Sequence, residues 1–245
     1  MSQRRTERLP RDESRTRFWF FQSVSRPASV LACGVILGSA LGGCNQFKSA
    51  EMIRANALTL STQGRYDEAL PLYQKVVEQR NADARAHYEL GENLLALGRA
   101  SEAREQMILA YNLKPDNEAY LKGLADAFVA TGDNDQLLAL LNQRIEDEAS
   151  AESYLLLGAY AQKIGHADEA ERALLAAADI AGTEDPMPQR ALAAFYRAIG
   201  DTPDEIKRLR MVLWFDPSDI AVQNRLRELG EIPGPSFALK PIGRE

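Results

Sequence analysis

Few side chains in this sequence could act as nucleophiles or general bases. Of the 245 residues, two are cysteines, Cys33 and Cys44, and two are histidines, His87 and His166. No serine or cysteine lies near a candidate base, and the chain has no HExxH metal motif, no CxxC pair and no phosphate-binding glycine loop. The sequence therefore predicts a protein that is not an enzyme and that has no metal site.

Charge divides the chain into two parts. Residues 1–43 contain seven arginines and three acidic residues, a net charge of +4, whereas the whole chain carries −6. Residues 44–245 therefore carry −10, which argues against nucleic acid or an anionic membrane surface as their ligand. Alanine and leucine are abundant while valine, isoleucine and threonine are sparse, and this bias favours helices over strands.

An apolar, uncharged segment, Ala28–Gly43, follows the arginine-rich start. It is shorter than the roughly 20 residues that span a bilayer, and it is typical of the hydrophobic region of a secretory signal. The residues Leu41-Gly42-Gly43-Cys44 resemble the lipobox of bacterial lipoproteins. The resemblance implies that residues 1–43 are removed and that Cys44 carries an S-diacylglycerol group and an N-acyl chain, such as palmitate, with no other cofactor.

Other interpretations of this segment stay open. It could be an uncleaved anchor, or Cys44 could be a cysteine that occurs by chance in a signal helix. Cleavage before Cys33 would leave an apolar stretch on the mature chain, so Cys44 is the better site. In a lipoprotein from a Gram-negative source, Asn45 after the cysteine implies an outer-membrane location facing the periplasm.

Glycine recurs at intervals of 33 to 35 residues, at Gly64, Gly98, Gly132, Gly165 and Gly200. A small residue stands seven positions before each glycine, and a large apolar residue stands nine positions after it. The fifth position after the glycine is alanine or leucine in four units but Glu205 in the last. Over residues 51–217 the pattern resembles the tetratricopeptide repeat, in which helix A ends at the glycine and helix B follows. His87 then falls at a packing position of a helix A, and His166 falls in a turn.

The resemblance implies an all-α fold, a right-handed superhelical solenoid of about five helix–turn–helix repeats plus a C-terminal capping helix. The expected organisation is a removed signal peptide, a short lipid-anchored linker, the solenoid, the capping helix and a mobile tail that contains proline and glycine. In order, these parts occupy residues 1–43, 44–50, 51–217, 218–230 and 231–245.

In the tetratricopeptide family the A helices line a surface that binds segments of partner proteins. Positions 13, 10, 6, 3 and 2 residues before each glycine are expected to face it. The candidate groove residues are Arg54, Arg85, Tyr88, Glu92, Lys122, Asp126, Gln162, Lys163, Arg190 and Arg197. The basic residues toward the C-terminal half indicate an acidic ligand or a C-terminal carboxylate, or alternatively ordinary solvated side chains.

Lipoproteins of this size that carry such repeats are similar to pilotins and to TadD-type assembly factors of Tad (Flp) pili. The resemblance implies a membrane-anchored, non-enzymatic scaffold. Its partners would be envelope proteins such as pilus or secretin subunits, with no nucleic acid and no small-molecule substrate. An adaptor that recruits peptidoglycan hydrolases or their regulators is the alternative.

Overall fold

The computed structural model describes residues 39–234 and 236–241, with side chains from Ser49 onward. The chain divides into two units, Met1–Gly43 and Cys44–Glu245. The predicted signal peptide lies outside the described residues, apart from residues 39–43, which are helical.

The described part of the chain is all helical, with eleven helices and no strand. The helices are α1 (Ser39–Thr62), α2 (Tyr66–Gln79), α3 (Ala84–Ala96), α4 (Ala100–Leu113), α5 (Glu118–Thr131), α6 (Asn134–Asp147), α7 (Ala151–Lys163), α8 (Ala167–Ala181), α9 (Met187–Ile199), α10 (Thr202–Phe215) and α11 (Ile220–Glu228).

The first ten helices form five consecutive pairs of helix A and helix B. Helix α3 packs on α4, α5 on α6, α7 on α8 and α9 on α10. In the first pair, Ala57 of α1 shares an apolar cluster with Ala69 and Tyr73 of α2. Each helix B from α2 to α8 also packs on the next helix A, so helix packing continues from repeat to repeat along the stack. The expected all-α solenoid of five repeats with an additional C-terminal helix is confirmed.

Each helix A ends through a glycine in the left-handed conformation, with φ between 72° and 82°. After Gly132, the backbone N–H of Asp133 donates to the carbonyl oxygen of Phe128 at 2.9 Å, and the other four units have the equivalent bond. A side chain at positive φ is strained, whereas glycine adopts this conformation readily. The glycine spacing therefore predicts the helix ends correctly.

Small residues in helix A allow helix B to approach closely. A Cβ atom on Gly158 would lie 2.6 Å from Leu174 Cδ2, and one on Gly91 would lie 2.9 Å from Met107 Cε. Both distances are shorter than carbon atoms tolerate without displacement. In these two repeats, the small position seven residues before the glycine is thus the point of closest approach between the paired helices.

Segment 44–50, expected to be a linker, is helical and belongs to α1. No proline or glycine occurs between Cys44 and Thr62, so nothing in the sequence breaks the helix before Gly64. A helix rises about 1.5 Å per residue, so this segment spans about 10 Å, roughly half the length of an extended chain. Cys44 lies within this helix, but its side chain is not among those described.

The tail, expected to be mobile, packs against α10 over residues 236–241. The Nε of Arg210 donates to the carbonyl oxygen of Phe237 at 2.9 Å, and the N–H of Leu239 donates to the carbonyl oxygen of Arg210 at 3.0 Å. The Phe237 side chain contacts an apolar cluster that includes Leu213. This docking removes a run of three apolar residues in the segment from water, while the mobility of the tail as a whole stays a prediction.

Glu205, the exception to the repeat pattern, attaches the last helix. Its two carboxylate oxygens accept hydrogen bonds from Nε and Nη2 of Arg225 in α11, at 2.7 Å and 3.0 Å. The Glu205 side chain is only 4% exposed, and that of Arg225 is 25% exposed. An alanine at this position would pack on the neighbouring helix but could not hold a guanidinium group.

Candidate partner-binding groove

The ten candidate residues lie on consecutive A helices, and the surface that they form from Arg54 on α1 to Arg197 on α9 is called the A-helix groove. Side-chain contacts link successive A helices along it. Nη1 of Arg54 is 2.8 Å from Oε1 of Glu89 on α3, and the rings of Tyr88 and Tyr120 connect α3 to α5 with centroids 5.1 Å apart. An ion pair between Lys163 and Asp126 connects α7 to α5, and α7 in turn packs on α9. The predicted residues therefore belong to a continuous series of helices.

The N-terminal section of the groove is an ion-pair network. The guanidinium of Arg54 bonds to Glu51 at 2.9 Å and to Glu89 at 2.8 Å, and Nε of Arg85 bonds to the same oxygen of Glu89 at 2.8 Å. Nη1 of Arg80 reaches Oε1 of Glu51 at 2.5 Å. Hydrogen bonds from Arg80 and then Arg54 lower the pKa of Glu51. The candidate arginines of this section are thus already paired with acids of the chain.

The central section contains a carboxylate without a basic partner. Burial, followed by the charge of Glu92 one helical turn away, raises the pKa of Tyr88 to about 12. Glu92 is exposed to solvent, yet desolvation by the surrounding protein and the charge of Asp126 raise its pKa. Within the described residues, Glu92 forms no ion pair.

A lysine ammonium occupies the other half of the central section. Nζ of Lys163 lies 2.7 Å from Oδ1 of Asp126 and 5.4 Å from the ring centroid of Tyr160. The Tyr160 hydroxyl donates to the carbonyl oxygen of Lys122 at 3.1 Å, and burial raises its pKa. The carboxylates of Glu92 and Asp126 and the ammonium of Lys163 together carry a net charge of −1, which is complementary to a basic side chain of a ligand.

The structure identifies groove residues that the repeat positions did not predict. Tyr160 stands five residues before its glycine and Tyr120 stands twelve before, neither of which is among the positions assigned to the groove. Two predicted members contribute less. Nζ of Lys122 pairs with Glu118 one turn earlier at 2.5 Å, and Gln162 is exposed, its side chain forming no hydrogen bond to any described residue.

The C-terminal section adjoins α11. Nη2 of Arg190 lies 2.6 Å from Oδ2 of Asp219 at the start of α11. The pKa of Asp219 is lowered, first by the backbone N–H of Val222 and then by Arg190. A cavity of about 270 Å³ lies between α9, α10 and α11, with Arg197 on its wall. The sequence predicted four basic residues toward the C-terminal half of the groove, and three of them, Lys122, Lys163 and Arg190, are paired with acids of the chain. Among the described residues Arg197 forms no ion pair, so it is the basic group that an acidic ligand would meet.

Known proteins share this architecture. A tetratricopeptide-repeat family model matches residues 60–120. The structure is similar to the putative kinesin light chain TPR-like repeats of Podosopora anserina, with a TM-score of 0.54 and 20% identity, covering 73% of this chain and 97% of that one. It is also similar to MamA (residue 41 to the end) of Desulfovibrio magneticus RS-1, with a TM-score of 0.51 and 18% identity, covering 70% and 97%. The fold is that of a tetratricopeptide-repeat protein. No curated protein sequence matches the chain.

The two histidines differ in their surroundings in this tetratricopeptide fold. His87 is buried, with Nδ1 2.8 Å from Oε1 of Gln106 and Nε2 2.9 Å from the carbonyl oxygen of Asn81. His166 is exposed and precedes α8. Across the described ranges, no three histidine, cysteine or acidic side chains are arranged to hold a metal ion. In the same part of the chain, the helices are too short or too polar to cross a bilayer.

Proposed function

We propose that the protein is a lipid-anchored, non-enzymatic scaffold that binds a segment of an envelope protein in the A-helix groove during assembly of a pilus or its secretin. The tetratricopeptide fold supports the role as a protein-interaction scaffold. The observation that carries the binding proposal is Glu92, an exposed carboxylate without a basic partner, held beside Tyr88 on a face built by consecutive helices. Tyrosine is enriched at the energetically important centre of protein interfaces, and a carboxylate beside it gives specificity for a basic ligand group.

The charges of the groove describe the preferred ligand. A basic side chain at the centre would meet Glu92 and compete with Lys163 for Asp126. An acidic side chain or a C-terminal carboxylate would meet Arg197 at the other end. The ligand is therefore a segment with a basic residue in its middle and a negative charge near one end. Charge complementarity of this kind contributes more to specificity and association rate than to affinity.

The anchor is the lipid on Cys44, and the location is the periplasmic face of the outer membrane. Because segment 44–50 is helical, a lipid at Cys44 would hold the first repeat close to the bilayer. Burial of acyl chains contributes about 0.8 kcal/mol per CH₂ group, so two or more chains anchor a protein stably, whereas one chain does not. Such a scaffold would act on partners that are themselves at the membrane, as pilus and secretin subunits are.

The anchor is tested by intact-mass spectrometry and fractionation of the native protein. We expect a mature chain that starts at Cys44, carries diacylglycerol and N-acyl groups, and stays in the membrane fraction. Cys44→Ser should abolish the modification and the membrane association, whereas the matched control Cys33→Ser should leave both unchanged. An unmodified thiol at Cys44 in freely soluble protein would contradict the proposal.

The partner is tested by genetics combined with groove variants. We expect deletion of the gene, and replacement by Glu92→Arg, to reduce surface pili and secretin multimers. Glu105→Arg, on an exposed position of α4 away from the groove, is the control and should support normal assembly. Normal pili and multimers in the deletion strain, with peptidoglycan hydrolases recovered on the solubilised protein, would contradict the pilus role and favour the adaptor alternative.

A further inference from the structure

The last helix has the features of a helix A without a helix B. Gly230 after α11 has φ of 86°, and the N–H of Glu231 donates to the carbonyl oxygen of Leu226 at 2.9 Å. The same glycine conformation and the same bond end all five preceding A helices. In each of those units helix B begins two residues after the glycine. In the sixth unit the residues there, Ile232 to Gly234, are not helical, and the sequence Ile-Pro-Gly-Pro disfavours a helix through its second proline and its glycine.

The tail covers the place of the missing helix incompletely. Residues 236–241, here called the strap, contact the cluster formed by Leu209, Leu213, Val222 and Leu226 through Phe237 and Ala238. A cavity of about 390 Å³ remains between the tail and helices α10 and α11. The four cluster side chains are buried beneath the strap, and the cavity beside it is open to solvent, with Leu213, Pro217 and Ala238 on its wall.

One residue makes the specific contacts that hold the strap. Arg210 donates to the carbonyl oxygen of Phe237, accepts from the N–H of Leu239, and places its guanidinium carbon 4.7 Å from the Phe237 ring centroid. Arg210 forms no ion pair within the described residues. The Arg210 guanidinium would therefore bind a carboxylate more strongly than it binds the neutral carbonyl oxygen, because a hydrogen bond between two charged groups is stronger than one to a neutral acceptor.

We propose that this α10–α11 face is a second docking surface, where an acidic amphipathic helix of a partner protein displaces the strap and completes the sixth repeat. The repeat pattern indicates which helix would fit this face. In the five B helices of the chain, the fifth position after the glycine is alanine, leucine or glutamate, and the residue four positions later is large and apolar. The partner helix carries alanine or leucine followed four positions later by a large apolar side chain, and a carboxylate that reaches Arg210. This surface adjoins the C-terminal end of the A-helix groove, with which it shares Leu209 and Val222, and it does not depend on the lipid anchor.

The test uses a labelled peptide with the sequence of the chain's own α4, ASEAREQMILAYNL, which has the required alanine, methionine and carboxylates. Its binding to the full chain is compared with binding to a variant in which Phe237→Ala and Leu239→Pro release the strap. We expect at least tenfold tighter binding to the released variant, by fluorescence anisotropy. The control Ile232→Ala, at a side chain that is 87% exposed, should bind like the intact chain.

Three outcomes would overturn the proposal: no binding by the released variant, equal binding by intact and released chains, or amide-exchange protection that falls on α3 and α5 instead of α10 and α11. Concentration-dependent self-association of the released variant, without peptide binding, would assign the face to a second copy of the chain. Circular dichroism checks that the double variant is folded. If the double variant is not folded, Phe237→Ala alone should bind the peptide more tightly than the intact chain does, by a smaller factor. Unchanged peptide affinity in this single variant would contradict the proposal that the strap covers the docking surface.

Discussion

The buried pair between Glu205 and Arg225 gives the sharpest test of how the C-terminal end of the solenoid is held. Removing one partner of a buried ion pair costs about 3–5 kcal/mol. Here Arg225 keeps a quarter of its surface in water and a second partner, Glu228, at 3.1 Å. We therefore expect Glu205→Ala to lower the free energy of unfolding by about 1.5–3 kcal/mol, the range for hydrogen bonds to charged groups.

A double-mutant cycle separates the pair from other effects of the substitution. Arg225→Ala in the Glu205→Ala background should cost much less than in the native chain, with a coupling energy of at least about 1 kcal/mol. Glu228→Ala is the matched control, because it contacts the same guanidinium from a side chain that is 63% exposed. Such an exposed pair contributes less than about 1 kcal/mol.

Urea unfolding, followed by circular dichroism, measures the free energy of unfolding of each variant. Amide hydrogen exchange in α11 is measured as well, because it detects local opening of this helix. Solenoid ends can open separately from the rest of the stack, so part of the loss would appear as local opening. The reasoning would be refuted if Glu205→Ala cost less than about 0.5 kcal/mol by both methods. Strictly additive losses in the double variant would refute it as well, because they would mean that the two side chains stabilise the protein independently.

Three further substitutions test other parts of the structure. Gly158→Ala should lower the free energy of unfolding by about 1–2 kcal/mol in urea titrations, since the overlap with Leu174 outweighs the gain in helix propensity. Gly132→Ala should lower it by about 1 kcal/mol through the left-handed backbone alone, because a Cβ there meets no atom within 4 Å. Glu92→Gln should raise it by a few tenths of a kcal/mol at pH 7, because the raised pKa means that the ionised carboxylate is disfavoured in the fold.

One control serves the two glycine substitutions, and a second control serves Glu92→Gln. Gly234→Ala should leave stability unchanged, since a Cβ there meets no atom within 4 Å and φ is not in the left-handed region. The gain from Glu92→Gln should disappear below about pH 4, where the carboxyl is protonated in both folded and unfolded chains. A stabilising Gly158→Ala, or a Glu92→Gln gain that persists at pH 3, would contradict the packing or electrostatic explanation.

The repeat architecture could be predicted from the sequence because it depends on local requirements. A helix that ends in the left-handed conformation needs glycine, so Gly64, Gly98 and their successors record every helix A end. Close helix approach needs small residues, which Gly91 and Gly158 supply. Both signals recur once per repeat, and recurrence makes them visible without knowledge of tertiary contacts.

The contacts that depend on particular partners could not be predicted in this way. Glu205 was visible as an exception, but its partner Arg225 lies 20 residues away on the next helix, and nothing in the spacing links them. The pairing of Arg190 with Asp219 likewise joins two helices. Composition predicted a mobile tail, because proline and glycine are frequent there, while the docking of Phe237 depends on an apolar face exposed by the end of the stack.

Photocrosslinking in native membranes tests the central claim most directly. A photoreactive amino acid is placed at Gln162 in the A-helix groove, or at Glu105 on α4 as the control, in otherwise native protein and in a Cys44→Ser background. We predict a crosslink to one envelope protein from Gln162, absent from Glu105 and strongly reduced without Cys44. Equal crosslinking from both positions, or a groove crosslink that persists unchanged in soluble Cys44→Ser protein, would contradict a lipid-anchored scaffold that binds its partner in the groove.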